Sequence, residues 1–566
     1  MRLTRLHIQN FRGIKDLTVT LDRDMTVLIG ENNMGKTTIL EALNFALAQI
    51  KSSKTCNFSE YDFHRDNSKN HISRCEEIRL TYTWEESAEY HWAPEISQVL
   101  NEIIVGEEYA KISLRITARY DEADKELKQE WDFLDEQGNV LPRKQHLLKE
   151  LQKICPLFFL STLRNVKQQF HSKATFWSSF LKIKDIDKTT REKLEKELDE
   201  INQKIVNTQG SFKDVQKEIT RLSEIIATGK TDPITVEPEP PNILNSLQHA
   251  QVKLITENDA KIPLTNHGSG TQSLSVLLLF SAYLKTRLAL DIDRLAEPIV
   301  AIEEPEAHLH PNAVRAVWGL LQSLPGQKII ATHSGDILSE IPLHYLRRIK
   351  KAGDITNIFH LPETVLDKDT RKFTHHVRRN RGELLLARCW LLVEGETEVT
   401  VIAEAADILG KNLNRYGIRL VEYSQAGGPG MFIKAANSLG IRWHVVTDND
   451  QEGMKYAKSV EENVKDKTKI YDYLTKLNSP NMDILLCQSG YDKPYRDAVL
   501  PRCEKEITAP EGTPEFWEQV YEKLPKKFSK PAAAFEAITL MKEKGKSGIP
   551  PQICDIINKA IRLAEV

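Results

Sequence analysis

Gly30-Glu-Asn-Asn-Met-Gly35-Lys36-Thr37 follows the apolar run MTVLIG (25–30) and leads into TTILEALNFALAQI (37–50), whose apolar residues recur at helical spacing. It matches GxxxxGK[ST] in the strand–loop–helix setting that phosphate binding by this pattern requires. The glycines let backbone N–H groups wrap the phosphates, and the positive end of the helix adds to that field. Lys36 is expected to reach the β- and γ-phosphates and Thr37 to bind Mg²⁺, with Gly30, Asn32, Asn33, Gly35 and Thr38 completing the loop around ATP. An α/β nucleotide-binding domain is the first expectation.

Three later segments complete that site. IVAIEEP (299–305) is an apolar strand ending in two carboxylates. Glu303 falls where the metal-organising acid of a Walker B strand belongs, and Glu304 where a base polarising the attacking water belongs. The competing reading is a surface acidic pair, which the buried character of residues 298–302 disfavours. His333 follows another apolar strand in KIIATHS and is placed to sense the γ-phosphate. Gly268-Ser-Gly-Thr-Gln-Ser273 opens a helix. In ABC-type ATPases such a segment caps ATP held by a partner subunit, with the helix end favouring the anion. Ser269, Gly270 and Gln272 are its candidate contacts, and they imply a homodimer or higher homo-oligomer.

From residue 385 onward a new alternation begins: strand WLLVEG, helix TEVTVIAEAADIL, strand RLVEYS, a Gly-rich turn, helix MFIKAANSL and strand WHVVTDND. This predicts a small, mostly parallel sheet with covering helices. Glu394 lies at a strand tip and Glu398 one turn into the next helix. Asp448 and Asp450 are two apart at the end of an apolar strand, which predicts that both face one side. Four such carboxylates suit hard cations, Mg²⁺ or Mn²⁺. Two cations ~4 Å apart would stabilise both oxygens of an in-line displacement at phosphorus. The bland alternative is a solvated acidic rim.

Together LHIQNFRGI, GENNMGKTT, GSGTQS, IEEPEAHLHP and ATHS resemble the RecF/SMC-type branch of ABC ATPases. The form EEPEAHLHP, followed by VEGETE and DND, resembles the OLD (overcoming lysogenization defect) nucleases, an ABC-type ATPase fused to a Toprim domain. That family includes the Gabija nuclease subunit and some retron effectors. The resemblance implies an ATP-regulated, metal-dependent DNA endonuclease in bacterial antiphage defence. An ABC dimer closes on ATP, so nucleotide state is expected to change access to the Toprim pocket, in the direction of ATP restraining cleavage. It implies partners that include DNA and, in some relatives, a helicase or a retron reverse transcriptase with its DNA–RNA product. It also implies a catalytic basic residue near the C-terminus, for which KKFSKPAAAFEA (526–537) offers Lys530, with Lys526 and Lys527 as competitors. A further acid is expected after Asp450, and Asp483, Asp492 and Glu504 all remain open. Two other readings stand: a DNA-repair or chromosome-associated ATPase whose Toprim domain only binds nucleic acid, and an enzyme acting on RNA.

The chain of 566 residues is too long for one core. The expected division is an ATPase N-terminal part (1–185), a helical hairpin (186–235), an ATPase C-terminal part (236–370) and a Toprim nuclease domain (385–566). In the hairpin, Leu194, Leu198, Ile201 and Ile205 form one apolar stripe and Phe212, Val215, Ile219, Leu222 and Ile226 another. Two facing stripes predict a projecting antiparallel pair that mediates self-association; two ordinary surface helices are the alternative. No apolar run reaches the ~18–20 residues of a membrane span. Seven scattered cysteines without a CxxC pair argue against a zinc site and fit a reducing cytosol, so a cytoplasmic location is expected. The net charge of −3 does not announce a nucleic-acid binder. Any DNA contact must be local. The basic run RKFTHHVRRNRGE (371–383) is one candidate, with a solvated linker as the equal alternative.

Overall fold

The computed structural model describes residues 1–47, 56–65, 71–160, 234–237, 251–255, 258–286, 292–362, 370–379, 382–464, 466–525, 528 and 530–565. The hairpin expected over 186–235 lies outside them as far as residue 233, as do Arg381, Lys526 and Lys527. The chain divides into two compact units, Met1–Ile358 and Phe359–Val566. Among the described residues, no helix is long and apolar enough to cross a membrane.

The first unit opens with β1 (Leu3–Phe11), β2 (Ile14–Thr20) and β3 (Met25–Ile29), then α1 (Lys36–Leu47). Strands β4 (Ile78–Glu85), β5 (Lys111–Asp121), β6 (Glu126–Leu134), β7 (Leu157–Leu160), β8 (Ile234–Glu237), β9 (Gln251–Ile255) and β10 (Lys261–Pro263) follow. After α2 (Ser269–Thr286) come β11 (Ile299–Glu303), α3 (Pro311–Ser323), β12 (Gln327–Ala331), α4 (Gly335–Glu340), β13 (Leu346–Ala352) and β14 (Ile355–Phe359).

One sheet is antiparallel, in the order β2-β1-β4-β5-β6. The alternation in its first strand suggests an edge position, yet β1 lies inside, paired with β2 on one side and β4 on the other. The burial reports a one-sided sheet rather than an edge: Leu3, Leu6, Ile8 and Phe11 are buried, in steps of 3, 2 and 3 with a register shift between Leu3 and Arg5, while the residues between them are more exposed. The second sheet has the order β14-β13-β3-β12-β11-β7, with β7, β11, β12, β3 and β13 parallel. All five residues of β3 are buried, as a strand covered on both faces demands. Helix α1 packs on β1 of the first sheet and on β7, β11 and β12 of the second, burying Ile39, Leu40 and Leu43 in one shared core. Truncating Leu40 or Leu43 to Ala is expected to cost about 2–5 kcal/mol and to loosen the loop that α1 anchors. Strands β10-β9-β8 form a small separate sheet.

The second unit contains α5 (Thr370–Arg379), β15 (Cys389–Val393), α6 (Glu396–Ile408), β16 (Ile418–Glu422), α7 (Gly430–Leu439), β17 (Arg442–Thr447), α8 (Gln451–Asn463) and β18 (Leu474–Lys476). It closes with α9 (Met482–Gln488), α10 (Pro514–Glu522), α11 (Lys530–Lys544) and α12 (Pro551–Glu565). Its sheet is wholly parallel, in the order β16-β15-β17-β18. Alternate residues of β15 serve opposite faces. Cys389, Leu391 and Val393 join the core made with α6, α11 and α12, whereas Trp390 meets Phe432 of α7 and Phe373 of α5.

Candidate nucleotide and carboxylate sites

In the first unit, register brings the candidate residues to one sheet end. Ala331 of β12 is level with Glu303 of β11 and with Leu28 of β3. The segments just beyond, at Gly30, Glu304 and His333, therefore emerge side by side. Asn32, Asn33, Gly35, Lys36, Thr37, Thr38, Glu303, Glu304, Ala331 and His333 line a cavity of about 390 Å³ there. Gly30 sits at φ +149°, and a Cβ on it would meet the Ile349 carbonyl oxygen at 2.6 Å, so only glycine admits this loop. Lys36 donates to the carbonyls of Gly30 and Glu31 at 2.8 and 2.7 Å, folded back into its own loop. Burial pushes its ammonium down to about 8, against the pull of Glu304, Glu303 and Glu31. An anion in the cavity would offset that desolvation, and the donor set fits a triphosphate. The Thr37 hydroxyl donates to Glu303 Oε1. Glu304 is held at φ +46°, an uncommon conformation for a residue with a side chain. Burial and the nearby Lys36 lower the pKa of His333, with Glu304 opposing.

Glu306 was not foreseen. Its Oε1 accepts from the Thr332 hydroxyl at 2.7 Å and from the backbone N–H groups of His333 and Ser334 at 3.0 Å each. Its Oε2 is buried without a partner among the described residues, and burial raises the pKa of the group. The signal in the sequence is a third acid two residues past the EE pair. Ser269, Gly270 and Gln272 stand on the first turn of α2 and are not among the cavity's lining residues.

In the second unit, the carboxylates gather beyond the C-terminal ends of β15 and β17. Glu394 Oε2 accepts from the backbone N–H of Asp448 at 3.3 Å. Glu398 is buried and accepts from the Gly395 N–H at 2.9 Å. Strand β17 stops at Thr447, so Asp448 and Asp450 do not face one side through strand alternation as expected. Asp450 instead caps α8, its Oδ1 accepting from the N–H groups of Glu452 and Gly453 at 2.9 and 2.7 Å. A Cβ on Gly453 would lie 2.1 Å from the Asp448 carbonyl oxygen, so the first turn of α8 presses directly on the Asp448 backbone.

Of the three acids left open, Asp483 is the one at this site. It is buried, accepts from the Tyr495 hydroxyl at 2.7 Å, and acts electrostatically on Glu398, Asp448 and Lys530. Asp492 is paired with Arg496 at 2.5 Å, and Glu504 is exposed on the surface. Lys530 opens α11 on the exposed rim, bonded to the Tyr521 hydroxyl with its ammonium 4.5 Å from the centre of the Tyr521 ring. Burial lowers its pKa, but Tyr521, Asp483 and Asp448 outweigh that and raise it.

Burial pushes Asp448 up to about 9, helped by Glu398, Glu394, Asp450 and Asp483, and pushes Glu394 up to about 7. Among the described residues, no three His, Cys, Asp or Glu side chains already stand close enough to cage a metal ion. The donors nevertheless fit one chemically: they are all hard oxygens, they repel one another, and Asp448 Oδ1 is buried with no partner.

An antiparallel sheet and a phosphate-loop sheet sandwiching α1 define an ABC/RecF-SMC-type ATPase core, and the parallel sheet ringed with carboxylates defines a Toprim unit. A family model described as "Protein of unknown function (DUF2813)" matches residues 1–383, and one described as "Overcoming lysogenization defect protein-like, TOPRIM domain" matches residues 385–450. The chain belongs to the family that the first of these models describes, and residues 385–450 of its second unit are similar to the OLD-like Toprim domain that the second describes. It is 26% identical over 591 residues to the uncharacterized protein YbjD of Escherichia coli (strain K12), covering 100% of this chain and 99% of that one. It is 26% identical over 484 residues to an OLD nuclease of Thermus scotoductus (strain ATCC 700910 / SA-01), covering 79% and 82%. It is 22% identical over 470 residues to the endonuclease GajA of Bacillus cereus (strain VD045), covering 82% and 77%.

Proposed function

We propose that this protein is an ATP-regulated, divalent-metal-dependent DNA endonuclease acting in bacterial antiphage defence. The observation that carries the reading is the convergence of Glu394, Glu398, Asp448 and Asp483 at one sheet end, with Lys530 interacting electrostatically with Glu398, Asp448 and Asp483. The nuclease relatives support the reaction class, and the resemblance to Gabija and retron effectors supports the defence role.

In this reading Glu394, Asp448 and Asp450 hold Mg²⁺ or Mn²⁺, and Glu398 and Asp483 complete the ligand field. The cation supplies charge neutralisation at the phosphodiester and a more acidic water. The chain's own residues do the rest. Asp450, fixed as a helix cap, keeps its carboxylate at the mouth of the site. The Glu394–Asp448 hydrogen bond ties the two strand tips together. Lys530, held by the Tyr521 hydroxyl and ring, presents a permanent cation to the scissile phosphate or the leaving oxygen.

In the ATPase unit, Lys36 and Thr37 bind the nucleotide, Glu303 organises Mg²⁺, Glu304 orients water and His333 senses the γ-phosphate. Ser269, Gly270 and Gln272 cap ATP on a second copy of the chain, so the unit turns over as a dimer or larger homo-oligomer. ATP binding restrains cleavage, and its depletion releases it. A helicase or a retron reverse transcriptase with its DNA–RNA product are the partners this family resemblance offers.

Nicking of a supercoiled plasmid with Mg²⁺ or Mn²⁺, with and without ATP, tests the reading, with an RNA of the same sequence beside it. Metal-dependent nicking lost in Asp448→Ala supports it. DNA binding without nicking would favour a repair or chromosome-associated ATPase, and cleavage of RNA alone would overturn the substrate.

A further inference from the structure

The run 371–379 folds as an amphipathic helix, α5, within the second unit. Its inner face buries Phe373, His376 and Val377. Phe373 meets Trp390 and Phe432 at ring distances of 6.0 and 6.1 Å, and His376 meets Phe432 at 5.2 Å. Its outer face exposes Arg371, Lys372, His375, Arg378 and Arg379. Arg371 and Lys372 stand about two helical turns before Arg378 and Arg379, so the outer face carries cations at both ends. The apolar anchorage on the sheet therefore sets where the charges stand, and they cannot relax away from one another as they would on a solvated linker.

The helix is seated beside the carboxylate site. Arg379 donates to the Gln425 side chain at 3.0 Å and pairs with Glu396 at 4.0 Å. Glu396 opens α6, between Glu394 and Glu398 in sequence. Lys372 reaches the Ala426 carbonyl at 3.4 Å. Both contacts fall on the loop after Tyr423, whose own hydroxyl feels the charges of Glu394, Asp448 and Glu398. The Arg379–Glu396 pair joins two well-exposed groups at long range, so it is weak and open to exchange.

The two surfaces have opposite and complementary problems. The carboxylate cluster repels a phosphate backbone until cations neutralise it. The cations of α5 sit one loop away, on a rigid scaffold, in a chain whose net charge is −3. We propose that the outer face of α5 is a phosphate-binding track that holds the DNA backbone beside the Glu394–Asp448 carboxylates. The proposal rests on the DNA-nuclease reading and specifies the surface through which the substrate arrives. The contacts are to phosphate, so the track is blind to sequence and its strength falls with salt.

The test is binding of a short fluorescent blunt duplex in EDTA, which removes cleavage from the readout, across a salt series. The variant neutralises Arg371, Lys372, Arg378 and Arg379 to Gln; all four are exposed, and thermal unfolding checks that the fold is kept. The matched control neutralises four exposed lysines elsewhere in the same unit, Lys467, Lys469, Lys542 and Lys544, to Gln. The track predicts a loss of affinity on the order of 10–10³-fold near ~0.1 M salt and a salt slope shallower by up to about 3–4, with wild-type behaviour in the control. Unchanged affinity and slope in the α5 variant, while wild-type protein binds and nicks DNA, would overturn the track alone. An equal loss in the control would also overturn it, since total charge would then explain binding. Wild-type protein that neither binds nor nicks DNA would sink the underlying nuclease reading instead.

Discussion

The backbone N–H of His333 donates to the carboxylate of Glu306 at 3.0 Å, in a clamp that also takes the Ser334 N–H and the Thr332 hydroxyl. The loop after β12 is thus shaped by a side chain from the turn after β11. Glu306→Ala leaves these donors without their acceptor, at about 1–3 kcal/mol for each one left buried and unsatisfied. The expected outcome is a lower thermal midpoint together with slowed ATP turnover and retained ATP binding. Turnover unchanged in a protein of lowered stability would confine Glu306 to a structural role.

Lys36→Ala should abolish ATP binding, because among the described residues no other Lys or Arg lines the cavity at the loop. Glu304→Gln should keep binding and slow hydrolysis on the order of 10²-fold or more, the usual loss for a positioned base. Ser269→Arg should stop hydrolysis while leaving binding intact, if a second copy supplies that helix end. Light scattering on protein lacking residues 186–228 reads the assembly directly: a reduced mass is expected, and an unchanged mass would move self-association elsewhere.

Asp448→Ala and Glu394→Ala should each lower cleavage by ~10²–10³, the scale of losing one strong transition-state contact, with ATP hydrolysis preserved. A thermodynamic readout is independent of activity. Asp448 is buried among like charges, so Asp448→Asn should raise stability in EDTA by on the order of 1–3 kcal/mol. Mg²⁺ should raise the wild-type thermal midpoint and do little in that variant. A midpoint indifferent to Mg²⁺ in wild-type protein would remove the metal from this site.

His444 gives a pH prediction. It is fully buried on β17, its Nδ1 bonded to the Asp472 carbonyl at 2.8 Å and its Nε2 to the Thr475 hydroxyl at 3.0 Å. A carbonyl only accepts, so Nδ1 carries the hydrogen; burial, with the Lys559 ammonium donating to the same Thr475 hydroxyl, favours the neutral ring, whose Nε2 then accepts from that hydroxyl. Burial pushes its pKa down to about 4. Between a free-imidazole pKa of about 6.5 and about 4, the unfolded chain binds a proton that the folded chain refuses. Stability from this group is full above that window and falls through it by up to about 3 kcal/mol. Urea unfolding from neutral to acid pH should show a shallower loss in His444→Gln than in wild type; parallel curves would contradict the assignment.

The phosphate loop was legible because its determinants are local: a strand, two glycines, a lysine and a helix within a few residues. The same holds for Glu303 and Glu394 at strand tips. The edge position suggested for β1 was not, since alternation reports which face is buried and says nothing of how many neighbours a strand has. The facing of Asp450 was misread because the apolar run gives no sign of where β17 yields to a helix cap. Asp483 stayed one of three acids because β18 and the start of α9 return it to the site, a long-range contact with no periodicity. Its neighbour Asn481 caps α9, which was a readable sign that Asp483 sits on an inward first turn.

Gly453 contributes no side chain to any reaction, yet its missing Cβ lets α8 rest against the Asp448 backbone while its N–H holds Asp450. In a saturation screen, every replacement there should score with the carboxylate knockouts, alanine included. Position 453 would then look like a catalytic residue to genetics and be invisible to any search for reactive groups, since what it supplies is an absence of atoms.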